Sequence, residues 1–355
     1  MSDETELLRD VVRDVLTAAL DPQAIESAEQ SGGVPPLWDR LAELEWPMIG
    51  VPDSEGDEAD ALEQLVVVLE GLGRHSAPVP LLETGLARWA LGERSGEVDL
   101  DAVLTVAPAH RGEPLRLERR GDGLVLSGTA RRVPWAAAAG EILAYADDGD
   151  AEVALLVPRD TAGLEIAPAR NVAGEPRDEV TFSGVACPAS ALVEHAPSRD
   201  AVTLRAALAR SAATVGALEA AHEVTREHVT TRRQFDRPLV RLQVVGAHLA
   251  RMAVELALAR AALDAAVAAR ASGEDVVWAT AAAKLTTARA ATTVACLAHQ
   301  LHGAIGVTRE YSLQLWTRRL WSWRDEGGSE GEWSARLGGE VAAAGPDALW
   351  EFVTR

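Results

Sequence analysis

The chain has 355 residues, 48% of them hydrophobic and 25% charged, with 29 Gly and 17 Pro, a composition that excludes disordered and fibrous classes and allows two or three packed layers. Its 54 acidic and 34 basic residues set a formal net charge of −20. That field repels nucleic acid and anionic membranes, so an anionic ligand needs local positive charge. No span reaches ~18 consecutive apolar residues, and the first ten residues, MSDETELLRD, are acidic where a signal peptide is basic. No membrane insertion is expected, and a cytoplasmic location is. Cys187 and Cys296 have apolar neighbours and no metal-ligand spacing, so both are expected to be inert core thiols, with no metal bound.

In chain order, residues 3–20 predict an amphipathic helix, with Asp3 and Glu6 as a capping pair, Leu7, Leu8, Val11, Val12, Val15 and Leu16 on one face, and Asp21-Pro22 as its stop. A second helix is expected from Pro36, with Leu37, Leu41 and Leu44 inward. A third lies near 57–73, and its apolar run 65–69 covers too many sides for a surface helix, so it is expected to be buried between neighbours. From about 98 the pattern changes to short apolar or alternating runs: AVLTVA, LRLERRGDGLVLSG, EILAYADDGD, AEVALLVPRD, GLEIA and DEVTFSGVACP. Gly121-Asp122-Gly123 reads as a hairpin turn. After Pro197 the β-formers nearly vanish, and Ala-rich helical stretches follow at 201–231, 238–271, 274–303 and 310–324, broken near Pro238, Ser272-Gly273 and Gly303–Gly306. The expected fold class is α+β: a helical domain at 1–97, a middle antiparallel β domain at 98–197 and a C-terminal four-helix bundle at 198–355. This order argues against βαβ alternation and a doubly wound nucleotide fold.

Arg232-Arg233-Gln234-Phe235-Asp236-Arg237-Pro238-Leu239, followed by Gln243, and then Gln300-Leu301-His302-Gly303-Ala304-Ile305-Gly306-Val307-Thr308-Arg309-Glu310-Tyr311 resemble two segments of the acyl-CoA dehydrogenases, R-x-x-F-G-x-P/L with a downstream glutamine and Q-x-x-G-G-x-G-x-x-x-E-Y. Weaker echoes are LEGLGRHSAPVPL at 69–81 and VTFSGVACPASALV at 180–193. The domain order matches as well, so the resemblance covers nearly the whole chain. It implies FAD as cofactor, an acyl-CoA substrate, and contacts from Arg232, Phe235, Gln243, Gln300 and Gly303 that reach across a subunit interface to a flavin held mainly by the neighbour. The chemistry of these residues agrees. An arginine makes charge-assisted, often bidentate bonds to a pyrophosphate, Phe235 offers a stacking surface, and Gly303 and Gly306 allow close backbone approach.

Other parts of the family pattern are missing. Where the family carries a T-E-P-x-x-G-S-D loop, residues 103–117 read VLTVAPAHRGEPLRL, with Thr105 a poor substitute. Where it carries a W-I-T strand against the flavin ring, the chain has Val133-Pro134-Trp135. The catalytic carboxylate takes the α-proton of the thioester and works best partly desolvated. Its usual position falls on Gly327, with Glu326 one residue away and Asp325 two. An alternative position used on an earlier helix falls on Ala206. Glu219 and Glu223 on that helix read as surface acids. His299 and His302 read as packing groups, and Trp316, Trp321, Trp323 and Trp333 as helix-packing or interface anchors, with acyl-pocket lining as the sharper reading.

The resemblance therefore implies the partner half of a heteromeric FAD-dependent acyl-CoA dehydrogenase, an oxidoreductase of lipid metabolism. Its implied partners are a second dehydrogenase-like subunit and an electron acceptor such as an electron-transfer flavoprotein. Two alternatives stay open: a homo-oligomeric dehydrogenase with Glu326 as base, and a non-redox acyl-CoA or protein binding module.

Overall fold

The computed structural model describes residues 3–32, 35–52, 57–107, 115–121, 123–234, 236–273, 276–345 and 350. It divides into two compact units, Met1–Ala206 and Ala207–Arg355.

The first unit opens with five helices: α1 (Asp3–Ala19), α2 (Pro22–Ser31), α3 (Leu37–Glu43), α4 (Glu58–Arg74) and α5 (Leu81–Leu91). Asp21-Pro22, expected as a stop, instead starts α2. Asp21 accepts a hydrogen bond from Ala24 N, and Pro22 takes the first helical position, where no backbone donor is required. α4 is buried along Leu65–Leu69 as its unbroken apolar run predicts. α5 was not predicted. It is buried on nearly every side, so no polar stripe marks its period.

Seven strands follow: β1 (Leu104–Ala107), β2 (Leu115–Arg120), β3 (Gly123–Pro134), β4 (Glu141–Asp147), β5 (Glu152–Pro158), β6 (Leu164–Ala167) and β7 (Arg177–Cys187). Each of the six predicted runs supplies at least one of them. β2 and β3 pair antiparallel across the predicted hairpin, whose central Asp122 lies outside the described residues. The sheet is mixed where an antiparallel one was expected, because β1 and β2 both run parallel to β4. Strand direction follows from which distant strand becomes a neighbour, and no local signal carries that information. The inward faces of β2, β3, β4 and β7 close one core around Leu126, Ile142, Val180 and Phe182. α5 packs on the other side, against Leu104, Leu143 and Tyr145. Arg88 of α5 is fully buried and donates to the carbonyls of Ser95, Val98 and Asp99, tying the segment that leads into β1.

Helix α6 (Arg199–Thr231) begins at the end of the first unit and continues through the second. A short hairpin follows, β8 (Arg233–Gln234) against β9 (Arg237–Pro238), and a 3-10 turn at Leu239–Arg241. These displace the start of α7 (Gln243–Ser272) from the expected residue 238. α8 (Val276–His302), a 3-10 turn (Gly303–Val307), α9 (Leu313–Trp323) and α10 (Glu330–Ala344) complete the unit. α7, α9 and α10 all pack on α8, while Thr287 of α8 meets Ser211 of α6 and Glu219 of α6 pairs with Arg260 of α7. α10 was not predicted, although Ser329 and Glu332 form a reciprocal capping box at its start. Cys187 is buried, but Cys296, expected in the core, is exposed. The buried stripe of α8 runs through Ala291, Val294, Ala295, Ala298 and Leu301, and the ~100° step per residue turns position 296 outward.

Candidate functional site

The motif residues of the second unit gather at one end of its helices. His228, in the last turn of α6, stacks on His302, the last residue of α8, with ring centroids 4.2 Å apart and planes 22° from parallel. Tyr311 closes the group, edge-on to His228 at 5.9 Å and tilted to His302 at 5.0 Å. This contact joins the C-terminal ends of α6 and α8. Arg232 follows His228 by one turn, its N–H donating to the His228 carbonyl at 2.8 Å while its own carbonyl accepts from Leu239 N at 2.9 Å to close the hairpin. Gln300 and Gly303 flank His302, and Gln243 opens α7 immediately after the hairpin. Arg232, Gln243, Gln300 and Gly303 are all exposed. Phe235 lies outside the described residues.

The two glycines of this segment differ in role. Gly303 has φ +64, and a Cβ there would meet nothing within 4 Å, so its backbone lies open to a ligand. Gly306, read from sequence as a second point of approach, is buried. A Cβ on it would fall 2.7 Å from the His302 Cβ, so its glycine serves packing of the turn against α8. Asp236 stands where the motif has glycine and keeps the left-handed backbone, φ +61. Asp is one of the few non-glycine residues that tolerate it.

His299 and His302 are packing groups. His299 Nε2 lies 2.9 Å from the Thr317 hydroxyl, and His302 Nδ1 lies 2.8 Å from the Ala298 carbonyl. Burial, with smaller contributions from the charges of His228 and His299, lowers the His302 pKa to about 4, so both His302 nitrogens are uncharged at neutral pH.

The expected base position lies elsewhere, in the turn between α9 and α10. Gly327 and Gly328 have φ +71 and +102. Trp333, buried, donates its indole N–H to the Gly327 carbonyl at 2.9 Å, and its ring occupies the space a Cβ on Gly328 would need. The Glu326 carboxylate sits 3.2 Å from the Arg210 guanidinium, which itself lies 5.1 Å from the centre of the Trp323 ring. Lys284 is fully buried and donates to the carbonyls of Trp323 at 2.7 Å and Arg324 at 3.0 Å, at the end of α9. Burial is the largest influence on its ammonium, followed by repulsion from Arg210, and the pKa falls to about 7 against the opposing pull of Glu326 and Asp325. Arg210, Lys284 and the Trp333–glycine contact were not singled out from sequence. The capping box Ser329–Glu332 could have located the start of α10 and hence the turn. Of the other candidates, Glu219 is engaged by Arg260, and Trp323 and Trp333 pack in the interior.

These two places are far apart. Lys284 and His302 are on one helix, separated by eighteen residues, which at 1.5 Å per residue is ~27 Å.

In the first unit, Thr105 is fully buried with its hydroxyl donated to the Pro134 carbonyl at 2.5 Å. Trp135 is buried too, at φ +55. Residues 108–114 of the neighbouring loop lie outside the described residues. The fit to a flavin dinucleotide is thus one-sided. The exposed Arg232, Gln243, Gln300 and open Gly303 backbone suit a pyrophosphate-bearing ligand, whereas Thr105 and Trp135 present no group to one. Among the described residues no set of three His, Cys, Asp or Glu side chains could hold a metal ion, and no helix is long and apolar enough to cross a membrane.

Helical N-terminal domain, central sheet, C-terminal helices and the paired motif segments define an acyl-CoA dehydrogenase fold. The N-terminal domain of that family matches residues 2–94, and its C-terminal domain matches residues 203–331. The chain belongs to the acyl-CoA dehydrogenase family, whose members are FAD-dependent. It is 29% identical to the acyl-CoA dehydrogenase IpdE2 of Mycolicibacterium smegmatis, over 90% of this chain and 93% of that one. A solved steroid ACAD, a variant of Tcur3481–Tcur3483, superposes with a TM-score of 0.88 at 27% identity, over 96% of this chain and 98% of that one. The ChsE4–ChsE5 complex of Mycobacterium tuberculosis shares the fold, with a TM-score of 0.87 at 24% identity, over 98% of this chain and 99% of that one.

Proposed function

We propose that this chain is the partner half of a heteromeric FAD-dependent acyl-CoA dehydrogenase. In this reading it lends Arg232, Gln243, Gln300 and Gly303, with Phe235 by its place in the motif, to a flavin held by a second dehydrogenase-like subunit. That subunit supplies the catalytic base and the acyl-CoA pocket. When bound, the flavin accepts the hydride that leaves the β-carbon in α,β-desaturation.

The observation that carries this reading is the ~27 Å along α8 between the flavin-contact end and the turn where a base would stand. Groups that far apart do not line one small reaction centre, which supports an exposed end that serves a ligand centred on another subunit, and the glycine at the expected base position supports that subunit being unlike this one. The turn itself offers little to a substrate: Gly327 has no side chain, Trp333 packs against the glycine pair, and Glu326 is paired with Arg210. Arg232 would hold the pyrophosphate by charge-assisted bonds, and the Gly303 backbone would approach it without a Cβ in the way. The 27%-identical steroid ACAD suggests a bulky, steroid-derived CoA thioester as substrate. Electrons would pass onward to an electron-transfer flavoprotein.

The test is co-expression with the dehydrogenase-like subunit encoded beside this chain. A co-purifying complex with a flavin absorbance spectrum, and a colourless chain when purified alone, is the expected result. Flavin held stably by this chain alone, or no association, would overturn the reading.

A further inference from the structure

The stacked pair His228–His302 belongs to no motif role assigned above, yet it is the contact that joins the two flavin-contact segments. Arg232 is anchored one turn beyond His228 by its N–H to the His228 carbonyl, and Gly303 is the residue after His302. Any change in the separation of the two rings alters the spacing between the guanidinium on one segment and the open backbone on the other. We propose that His228 and His302 are positioning residues, a pair of neutral stacked imidazoles that sets the spacing of Arg232 and Gly303 for a flavin pyrophosphate. The inference rests on the heteromeric reading above and adds a regulatory property to it.

Three observations support it. First, the pair is built for contact between neutral rings. His302 is 6% exposed, its Nδ1 faces the Ala298 carbonyl, and among the described residues its Nε2 has no hydrogen-bond partner. A proton placed on Nε2 would therefore be buried without an acceptor. Second, the charged and titratable groups around the pair give a proton little compensation. Arg232 on the hairpin side and His299 one turn earlier on α8 oppose positive charge, and Tyr311 faces both rings from the turn before α9. Glu227 acts on Tyr311 and is exposed to solvent. Third, Gly306 keeps the 3-10 turn in direct contact with His302, so a displaced ring moves the turn that begins at Gly303. Both imidazoles are held below their usual range by burial. Acidification would bring positive charge into a stack whose rings lie 4.2 Å apart, with no acceptor for a proton on the buried Nε2, and open it.

The experiment measures FAD affinity of the co-purified complex by the fluorescence of released flavin, between pH ~8 and ~4.5, a range spanning the ordinary imidazole pKa. The wild-type complex should hold FAD at neutral pH and weaken by about tenfold or more toward the acid end. His228→Ala with His302→Ala should weaken binding by about tenfold at every pH. His228→Phe with His302→Phe keeps two stacked rings and removes both titrations, so it should restore neutral-pH affinity and flatten the acid limb. Wild-type affinity in the alanine pair, or a wild-type acid limb in the phenylalanine pair, would overturn the inference. If the alanine pair does not fold, the phenylalanine pair decides. Arg232→Ala in the same complex separates the two readings. FAD retained without Arg232 would overturn the heteromeric reading itself, whereas FAD lost without Arg232 but unaffected by the histidines would overturn only the positioning role.

Discussion

The Glu326 carboxylate, one residue from the position expected from sequence for a base, lies 3.2 Å from the Arg210 guanidinium, and both side chains are largely buried. A carboxylate committed to an ion pair on a neighbouring helix ties α6 to the α9–α10 turn. Its expected service is to hold that turn in place.

Glu326→Gln should accordingly leave the dehydrogenase activity of the proposed complex unchanged while costing about 2–4 kcal/mol of stability, since breaking one side of a buried pair strands its partner. Denaturant unfolding and steady-state turnover measured on the same preparations check both halves. A loss of turnover with unchanged stability would favour a base at Glu326.

The two glycines of the turn should differ in tolerance. Gly327→Ala meets a left-handed backbone, φ +71, a cost of about 1–2 kcal/mol. Gly328→Ala adds a Cβ that would lie 2.4 Å from the Trp333 indole nitrogen, which adds about 1–3 kcal/mol of overpacking. Urea midpoints should therefore rank wild type, Gly327→Ala and Gly328→Ala in descending order.

Asp236→Gly should stabilise the chain by about 0.5–1 kcal/mol, because glycine takes φ +61 without the steric penalty Asp carries there. The gain should appear as a raised denaturation midpoint. Arg233, which donates to the Asp236 carbonyl at 2.8 Å, keeps its bond because the acceptor is backbone.

Lys284 gives a pH dependence of definite sign. Its folded-state pKa of about 7 lies below the ordinary 10.5, so between those values the unfolded chain binds the extra proton. Stability then rises with pH across this window, because folding must remove a proton from the unfolded lysine and that removal costs less as pH approaches 10.5. Lys284→Met should flatten that slope and lower stability at high pH, where it also removes the donor to the Trp323 and Arg324 carbonyls. Unfolding free energies at a series of pH values from 7 to 10.5 check it.

Most helices and all seven strands of the first unit were legible because each carries its own period or propensity. α2 and α5 were not, for two different local reasons. Asp21-Pro22 is both a plausible end of one helix and a capped start of the next, and α5 has no polar face to reveal its turn. Parallel pairing of β1 and β2 with β4 was illegible because direction depends on a strand decades of residues away. The exposed position of Cys296 needed only the phase of α8, which shifts when the helix boundary is known.

By itself the sequence determined the family resemblance, the glycine at the expected base position 327 and the arginine-bearing segment opposed to a net charge of −20, since each is a matter of residue identity at a spacing. Only the tertiary structure decided that Arg232 and Gly303 share one end of the bundle through His228 and His302, that Glu326 is engaged by Arg210, and that the two places are ~27 Å apart along α8. Those facts depend on helices distant in sequence packing at particular phases, and burial and pairing follow from that packing.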